Sequence, residues 1–134
     1  MTMPKYALLL LLLTLASAQT PDPHSIPSVD GAIGPCSADF TITDANNAPI
    51  YNAKIKVHIA YGFLSVRKLD LEVGTNVDGK ARITGIPNRI KHGLYFHASE
   101  GDREGEVFDD PANTCKTQFT LPLQKKLPQP PTQQ

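Results

Sequence analysis

Apolar and polar residues alternate one by one in seven separate segments, and this pattern constrains the fold more than any other feature. Successive side chains of a strand point to opposite faces of a sheet, so each segment is typical of a β-strand with one buried face. Outside residues 1–18, no window shows apolar residues at helical spacing over the length of a helix. The predicted strands centre on 38–42, 53–59, 69–73, 81–83, 94–98, 104–108 and 117–121.

Strands with one apolar face bury it only if two sheets pack against each other. Seven short strands separated by turn-forming residues therefore predict an all-β fold, a seven-stranded antiparallel β-sandwich with Greek-key connections. The Asp78-Gly79 pair lies between two of these strands and is a strong signal for a tight turn. We expect residues 69–83 to form a β-hairpin at the centre of the sandwich.

The two ends of the chain differ in composition from its middle. Lys5, an apolar run at 6–15 and Ala16-Ser17-Ala18 are typical of a secretory signal peptide cut after Ala18. The run is too short for a membrane span, which disfavours the alternative of an uncleaved anchor. We expect a signal peptide at 1–18, an extended lead-in at 19–35, the folded domain at 36–124 and a disordered Pro/Gln-rich tail at 125–134.

The signal peptide and the charge balance indicate the compartment and exclude one class of partner. We expect a secreted or periplasmic protein with no membrane span after cleavage. Without Lys5 the chain keeps 12 basic and 13 acidic side chains, a formal charge of −1. A chain so close to neutral has no overall field that would attract nucleic acid.

The two cysteines, Cys36 and Cys115, are expected to form a disulfide, because isolated pairs oxidise outside the cytosol. Each cysteine has the same parity as the apolar residues of the strand that follows it, so both sulfurs should face the interior. A bond between two strand starts requires the first and last predicted strands to be neighbours that run in the same direction.

Two stretches resemble a known family. The run D-A-N-N-A-P-I-Y-N-A-K-I-K-V at 44–57 and the run T-N-V-D-G-K-A-R-I-T-G-I-P at 75–87 resemble carboxypeptidase regulatory-like, or transthyretin-like, domains. The resemblance covers about 38–98 and implies a prealbumin-like, Ig-like sandwich of the secreted bacterial single-domain type. It departs from the family at Asn47-Ala48, Asn52 and Ala81. Such domains are usually accessory modules, so the resemblance implies little about activity.

Catalytic, cofactor and metal sites are not predicted. No serine lies in a G-x-S-x-G setting, and no glycine-rich phosphate loop exists. The acidic residues at 100–110 and the Asn76-Val77-Asp78-Gly79 turn do not form a calcium loop, because Asp78-Gly79 has only Asn76 before it at the required spacing. His58 and His97 occupy outward positions and could start a metal site, but the sequence does not reveal a third ligand.

Two loops contain polar, basic and apolar residues outside the strand alternation. Exposed together, these residues would form a partner-contact surface; folded inward, they would cap one end of the sandwich. The residues are Tyr61, Phe63, Leu64, Asn88, Arg89, Ile90 and Lys91.

These observations favour a non-enzymatic module for binding or structural support at the cell exterior, with an unknown protein or carbohydrate as its partner. The alternative is a small hydrolase or metal-dependent enzyme that uses the outward face around His58 and His97.

Overall fold

The computed structural model describes residues 20–127, so the predicted signal peptide and most of the predicted tail lie outside the described residues. The described residues form nine strands and one turn of 3-10 helix. The strands are β1 (Ser28–Asp30), β2 (Cys36–Thr43), β3 (Lys54–Tyr61), β4 (Arg67–Gly74), β5 (Lys80–Ile86), β6 (Leu94–Glu100), β7 (Arg103–Asp109), β8 (Lys116–Pro122) and β9 (Gln124–Lys125), with the helical turn at Phe63–Ser65.

The strands form two sheets, which confirms the prediction of an all-β sandwich. One sheet has the order β1-β5-β2-β8 and the other has the order β4-β3-β6-β7-β9. The seven predicted strands correspond to β2–β8, and β1 lies inside the predicted lead-in, where it pairs with β5. The sheets are not antiparallel throughout, because β1 runs parallel to β5 and β2 runs parallel to β8.

The core is the layer between the two sheets, and aromatic rings join the sheets across it. Phe40 of β2 and Phe96 of β6 pack edge to face with their ring centroids 4.9 Å apart. Phe119 of β8 stacks on Phe40 at 5.7 Å. Phe40 and Phe96 are at most 2% exposed, so both rings lie in the interior that the alternation predicts.

The Cys36–Cys115 disulfide is present, as predicted. It joins the start of β2 to the residue before β8, and the two strands then pair in parallel from Ser37 with Lys116 to Thr43 with Pro122. The cross-link spans a sequence separation of 79 residues. In the chain-entropy model a loop of that length stabilises the fold by about 4–5 kcal/mol.

The Asp78-Gly79 pair forms a tight turn, but the prediction of a hairpin was wrong. β4 lies in the five-stranded sheet and β5 lies in the four-stranded sheet, so the turn is a corner between the sheets. Buried hydrogen bonds hold the chain where it crosses from one sheet to the other. The Thr75 hydroxyl donates to the Ile50 carbonyl at 2.6 Å and accepts from the Ala53 amide at 2.9 Å.

Asn76 completes the corner and ties it to the lead-in. Its Oδ1 accepts hydrogen bonds from the amides of Asp78 and Lys80, each at 2.9 Å. Its Nδ2 donates to the carbonyls of His24 and Ser25 at 3.2 and 3.1 Å. Because Asn76 is only 4% exposed, its carboxamide needs these partners to offset the loss of water.

The corner predicts unequal costs for two glycine substitutions. Gly79 has φ 72°, and a Cβ there would lie 2.3 Å from the Ile42 carbonyl oxygen. Gly101 also has a positive φ, 59°, but a Cβ there would meet nothing within 4 Å. We expect Gly101→Ala to lower the free energy of unfolding by about 1 kcal/mol, and Gly79→Ala by at least about 2 kcal/mol more. Urea denaturation of both variants checks this, and equal losses would contradict it.

Candidate functional site

The outward face of the five-stranded sheet brings two histidines, four carboxylates, a lysine and two aromatic rings onto one surface. Its strands lie in the order β4, β3, β6, β7, and each contributes outward residues that alternate with buried ones. We call this surface the imidazole face. Its members are Asp70 and Glu72 on β4, Lys56 and His58 on β3, Tyr95 and His97 on β6, and Glu104, Glu106 and Phe108 on β7.

His58 forms a close pair with Asp70, the residue directly opposite it on β4. Nδ1 of His58 lies 2.6 Å from Oδ1 of Asp70, so the imidazole donates to the carboxylate through this nitrogen. The second ring nitrogen, Nε2, is then the one that can exchange a proton with a ligand. Both side chains are exposed, at 57% and 80%.

His97 is held by different partners. Its Nε2 lies 3.6 Å from Glu104, and its Nδ1 lies 3.8 Å from Glu106. In the register of β3 and β6, His97 is opposite Lys56, so His58 lies diagonally from it. The two predicted histidines therefore share one face, but His58 turns to β4 and His97 to β7.

The metal-dependent form of the alternative function required a third ligand near this pair. Among residues 20–127, no group of three or more His, Cys, Asp or Glu side chains is arranged to hold a metal ion. A metal centre built from those residue types therefore finds no support in the described residues.

Two exposed aromatic rings lie further along the same face, Tyr95 on β6 next to the strand of His58 and Phe108 on β7 beyond it. Tyr95 and Phe108 pack with their centroids 5.1 Å apart, and they are 58% and 51% exposed. The Phe108 ring covers Gly93 so closely that a Cβ there would lie 2.4 Å from it. Phe108 was not among the predicted site residues, although its parity with Glu104 and Glu106 places it on the outward face.

A shallow cavity lies on the imidazole face around His58. Its volume is about 480 Å³, and its lining includes Lys56, His58, Asp70, Tyr95 and His97. A smaller cavity of about 200 Å³ shares His58 and Tyr95 and continues to the loop at 90–93. The imidazole face is thus a concave surface with a cation, a His-Asp pair and a phenol ring around one space.

Only some of the residues predicted to form a partner-contact surface lie together in the structure. Tyr61, Leu64, Arg89, Ile90 and Lys91 line a separate cavity of about 450 Å³. Ile90 is partly buried and packs against the core, as the inward alternative requires. Phe63 and Leu64 instead point to solvent, and Asn88 is exposed outside that lining.

Three groups with a shifted pKa lie outside the imidazole face, and one of them is Arg103, whose pKa is raised by its hydrogen bond with Glu100. The hydrogen bond between His24 and Asp78, 2.9 Å long, raises the pKa of His24 above its ordinary value. Burial, helped by the neighbouring Asp110, raises the pKa of Asp109. The His24 pair ties the lead-in to the inter-sheet corner, and the Asp109 shift results from burial at the end of β7.

Among the described residues, no helix has both the length and the apolar character to cross a membrane.

Comparison with known proteins finds structural likeness only. No protein-family model and no curated protein matches the chain. A catechol 1,2-dioxygenase mutant from Acinetobacter radioresistens matches 82% of this chain and 62% of its own, with 16% identity and a TM-score of 0.45. A 3-chlorocatechol 1,2-dioxygenase from Rhodococcus opacus matches 78% of this chain and 65% of its own, with 14% identity and a TM-score of 0.46.

These neighbours are enzymes, and this finding contradicts the prediction of a non-enzymatic binding or structural module. It likewise contradicts the prediction that the chain is not an enzyme. The chain spans less than two thirds of each neighbour's length. At these identities and TM-scores the likeness concerns the fold, so the neighbours' reaction and substrates are not carried over to this chain.

Proposed function

We propose that the imidazole face is the active site of a small hydrolase whose substrate is an ester with a planar ring. The contact that carries the proposal is the 2.6 Å pair of His58 and Asp70, which shares a cavity with Tyr95. Phe108 packs against Tyr95 on the next strand and extends the aromatic surface. A flat apolar ring stacks well on such a platform, because aromatic pairs combine area burial with favourable edge and face geometry.

His58 is the general base in this proposal. Its Nε2 accepts a proton from water, and the oxygen of that water attacks the ester carbonyl carbon. The carbon–oxygen bond to the leaving group then breaks, and the imidazolium returns its proton to the departing alkoxide. Asp70 holds the ring through Nδ1 and stabilises the imidazolium that forms.

Lys56 supplies the positive charge near the reacting carbonyl. It lines the same cavity as His58 and Tyr95, on the same strand as His58. An ammonium group beside the carbonyl stabilises the negative oxygen of the tetrahedral intermediate. His97, between two glutamates, adds a second protonatable group to the rim.

We expect the purified protein to hydrolyse 4-nitrophenyl acetate, an ester with an aromatic ring. His58→Gln should lower kcat about a hundredfold, and Asp70→Asn should lower it at least about tenfold, because the base is removed or loses its orientation. The matched control is His24→Gln, which removes another exposed imidazole paired with a carboxylate, Asp78, but outside the cavities that His58 lines.

Two outcomes of this assay would contradict the proposal. One is a wild-type rate no greater than that of free imidazole at equal concentration. The other is a His58→Gln variant that keeps its activity while His24→Gln loses it.

We also propose that the chain is a carboxypeptidase regulatory-like, or transthyretin-like, domain. The support is the run at 75–87, in which Gly79 closes the corner between the sheets against the Ile42 carbonyl. The amide of Ile42 also donates to the Gly79 carbonyl at 2.7 Å. The turn that carries the resemblance is therefore a structural joint of the sandwich.

Export from the cytoplasm completes the proposal. The disulfide is compatible with an oxidising compartment, secreted or periplasmic, since such bonds are rare in the cytosol. We expect N-terminal sequencing of the exported protein to begin at Gln19, after the Ala16-Ser17-Ala18 site. A protein that keeps Met1 and stays inside the cell would contradict this part of the proposal.

A further inference from the structure

Three apolar side chains project from the loop between β3 and β4. Phe63, Leu64 and Val66 are 84%, 79% and 71% exposed. We call residues 62–66 the apolar tip. Soluble domains expose single apolar residues routinely, but three large ones within four positions form a patch that needs a partner.

The tip is a tight turn that holds these side chains outward. The Ser65 amide donates to the Gly62 carbonyl at 3.1 Å. Gly62, Leu64 and Ser65 all have positive φ, at 78°, 56° and 55°. A left-handed backbone is unfavourable for leucine by roughly 1 kcal/mol. The backbone conformation of Leu64 is therefore unfavourable, and its exposed side chain makes no buried contacts that would offset this cost.

Four cations surround the apolar tip. Arg67 and Lys68 follow it at the start of β4, and the Arg67 side chain packs against Gly62. Arg89 and Lys91 line the cavity that also contacts Leu64. All four are exposed, and none belongs to an ion pair among residues 20–127. Asp110 also lines that cavity, so four cations and one carboxylate lie around the apolar tip and this end has a positive balance.

We infer that the apolar tip docks the protein on an anionic lipid bilayer. Phe63 and Leu64 would enter the interface, where apolar side chains leave water. The surrounding arginines and lysines would contact lipid phosphates, each with a favourable contribution near a negative surface. The charge and shape of the apolar tip indicate its binding partner. A protruding apolar loop with cations around it fits a soft anionic surface. A second copy of this chain would place the two cationic rims against each other.

Vesicle sedimentation tests the inference, and it does not depend on the ester-hydrolase proposal. The probes are vesicles of phosphatidylcholine alone and vesicles with about one third phosphatidylglycerol. We expect binding to the anionic vesicles only, and weaker binding as salt screens the cations. Phe63→Ser combined with Leu64→Asn should lower the partition coefficient at least about tenfold. Asn tolerates the left-handed backbone at 64, so this variant should fold.

Two further variants make the test specific. Arg89→Gln combined with Lys91→Gln should also weaken binding about tenfold. Tyr51→Ser is the matched control, because Tyr51 is 66% exposed in the turn before β3, at the other end of that strand. This variant should bind as the wild type does, and circular dichroism confirms that each variant is folded.

Several results would overturn the inference. The first is wild-type protein that does not sediment with anionic vesicles at low salt. Binding that the charge variant loses but the Phe63 and Leu64 variant keeps would indicate adsorption by charge alone. Self-association that the Phe63 and Leu64 variant abolishes, without any vesicle binding, would assign the apolar tip to a contact between copies.

Discussion

The parallel pairing of β2 with β8, anchored by the Cys36–Cys115 disulfide, is the constraint on which the rest of the structure depends. It joins the beginning and the end of the sandwich and places Phe40 beside Phe119. Those rings pack against Phe96 of the opposite sheet, so the cross-link also sets how the two sheets meet. The core is built from aliphatic side chains and phenylalanine, with no tryptophan, and the disulfide adds to the stability that this core provides.

Because the inner faces of both sheets are filled, chemistry is confined to the outer faces and the loops. The outer face of the five-stranded sheet places His58 between Asp70 and Tyr95 through strand register alone. The same strand β3 continues from this face into the apolar tip, and one cavity links His58 to Lys91. Catalysis and membrane docking, as proposed, therefore use neighbouring parts of one end of the molecule.

Local patterns in the sequence were sufficient to predict β2–β8 and the disulfide, because alternation and parity are properties of single strands. They did not predict that Asp78-Gly79 turns between sheets, since a tight turn has the same residues in a hairpin and in a corner. The short strand β1 was missed because three residues next to prolines carry no alternation. The contact of His58 with Asp70 also needed the register of β3 and β4, which no local pattern reveals.

The proposed function requires that a ring-bearing ligand binds on the imidazole face. The most direct measurement is an NMR titration of the labelled protein with a non-hydrolysable analogue of an aromatic ester. We expect chemical-shift changes centred on His58, Tyr95, His97 and Phe108. Changes confined to the outer face of the four-stranded sheet, or an absence of changes at millimolar analogue, would contradict it.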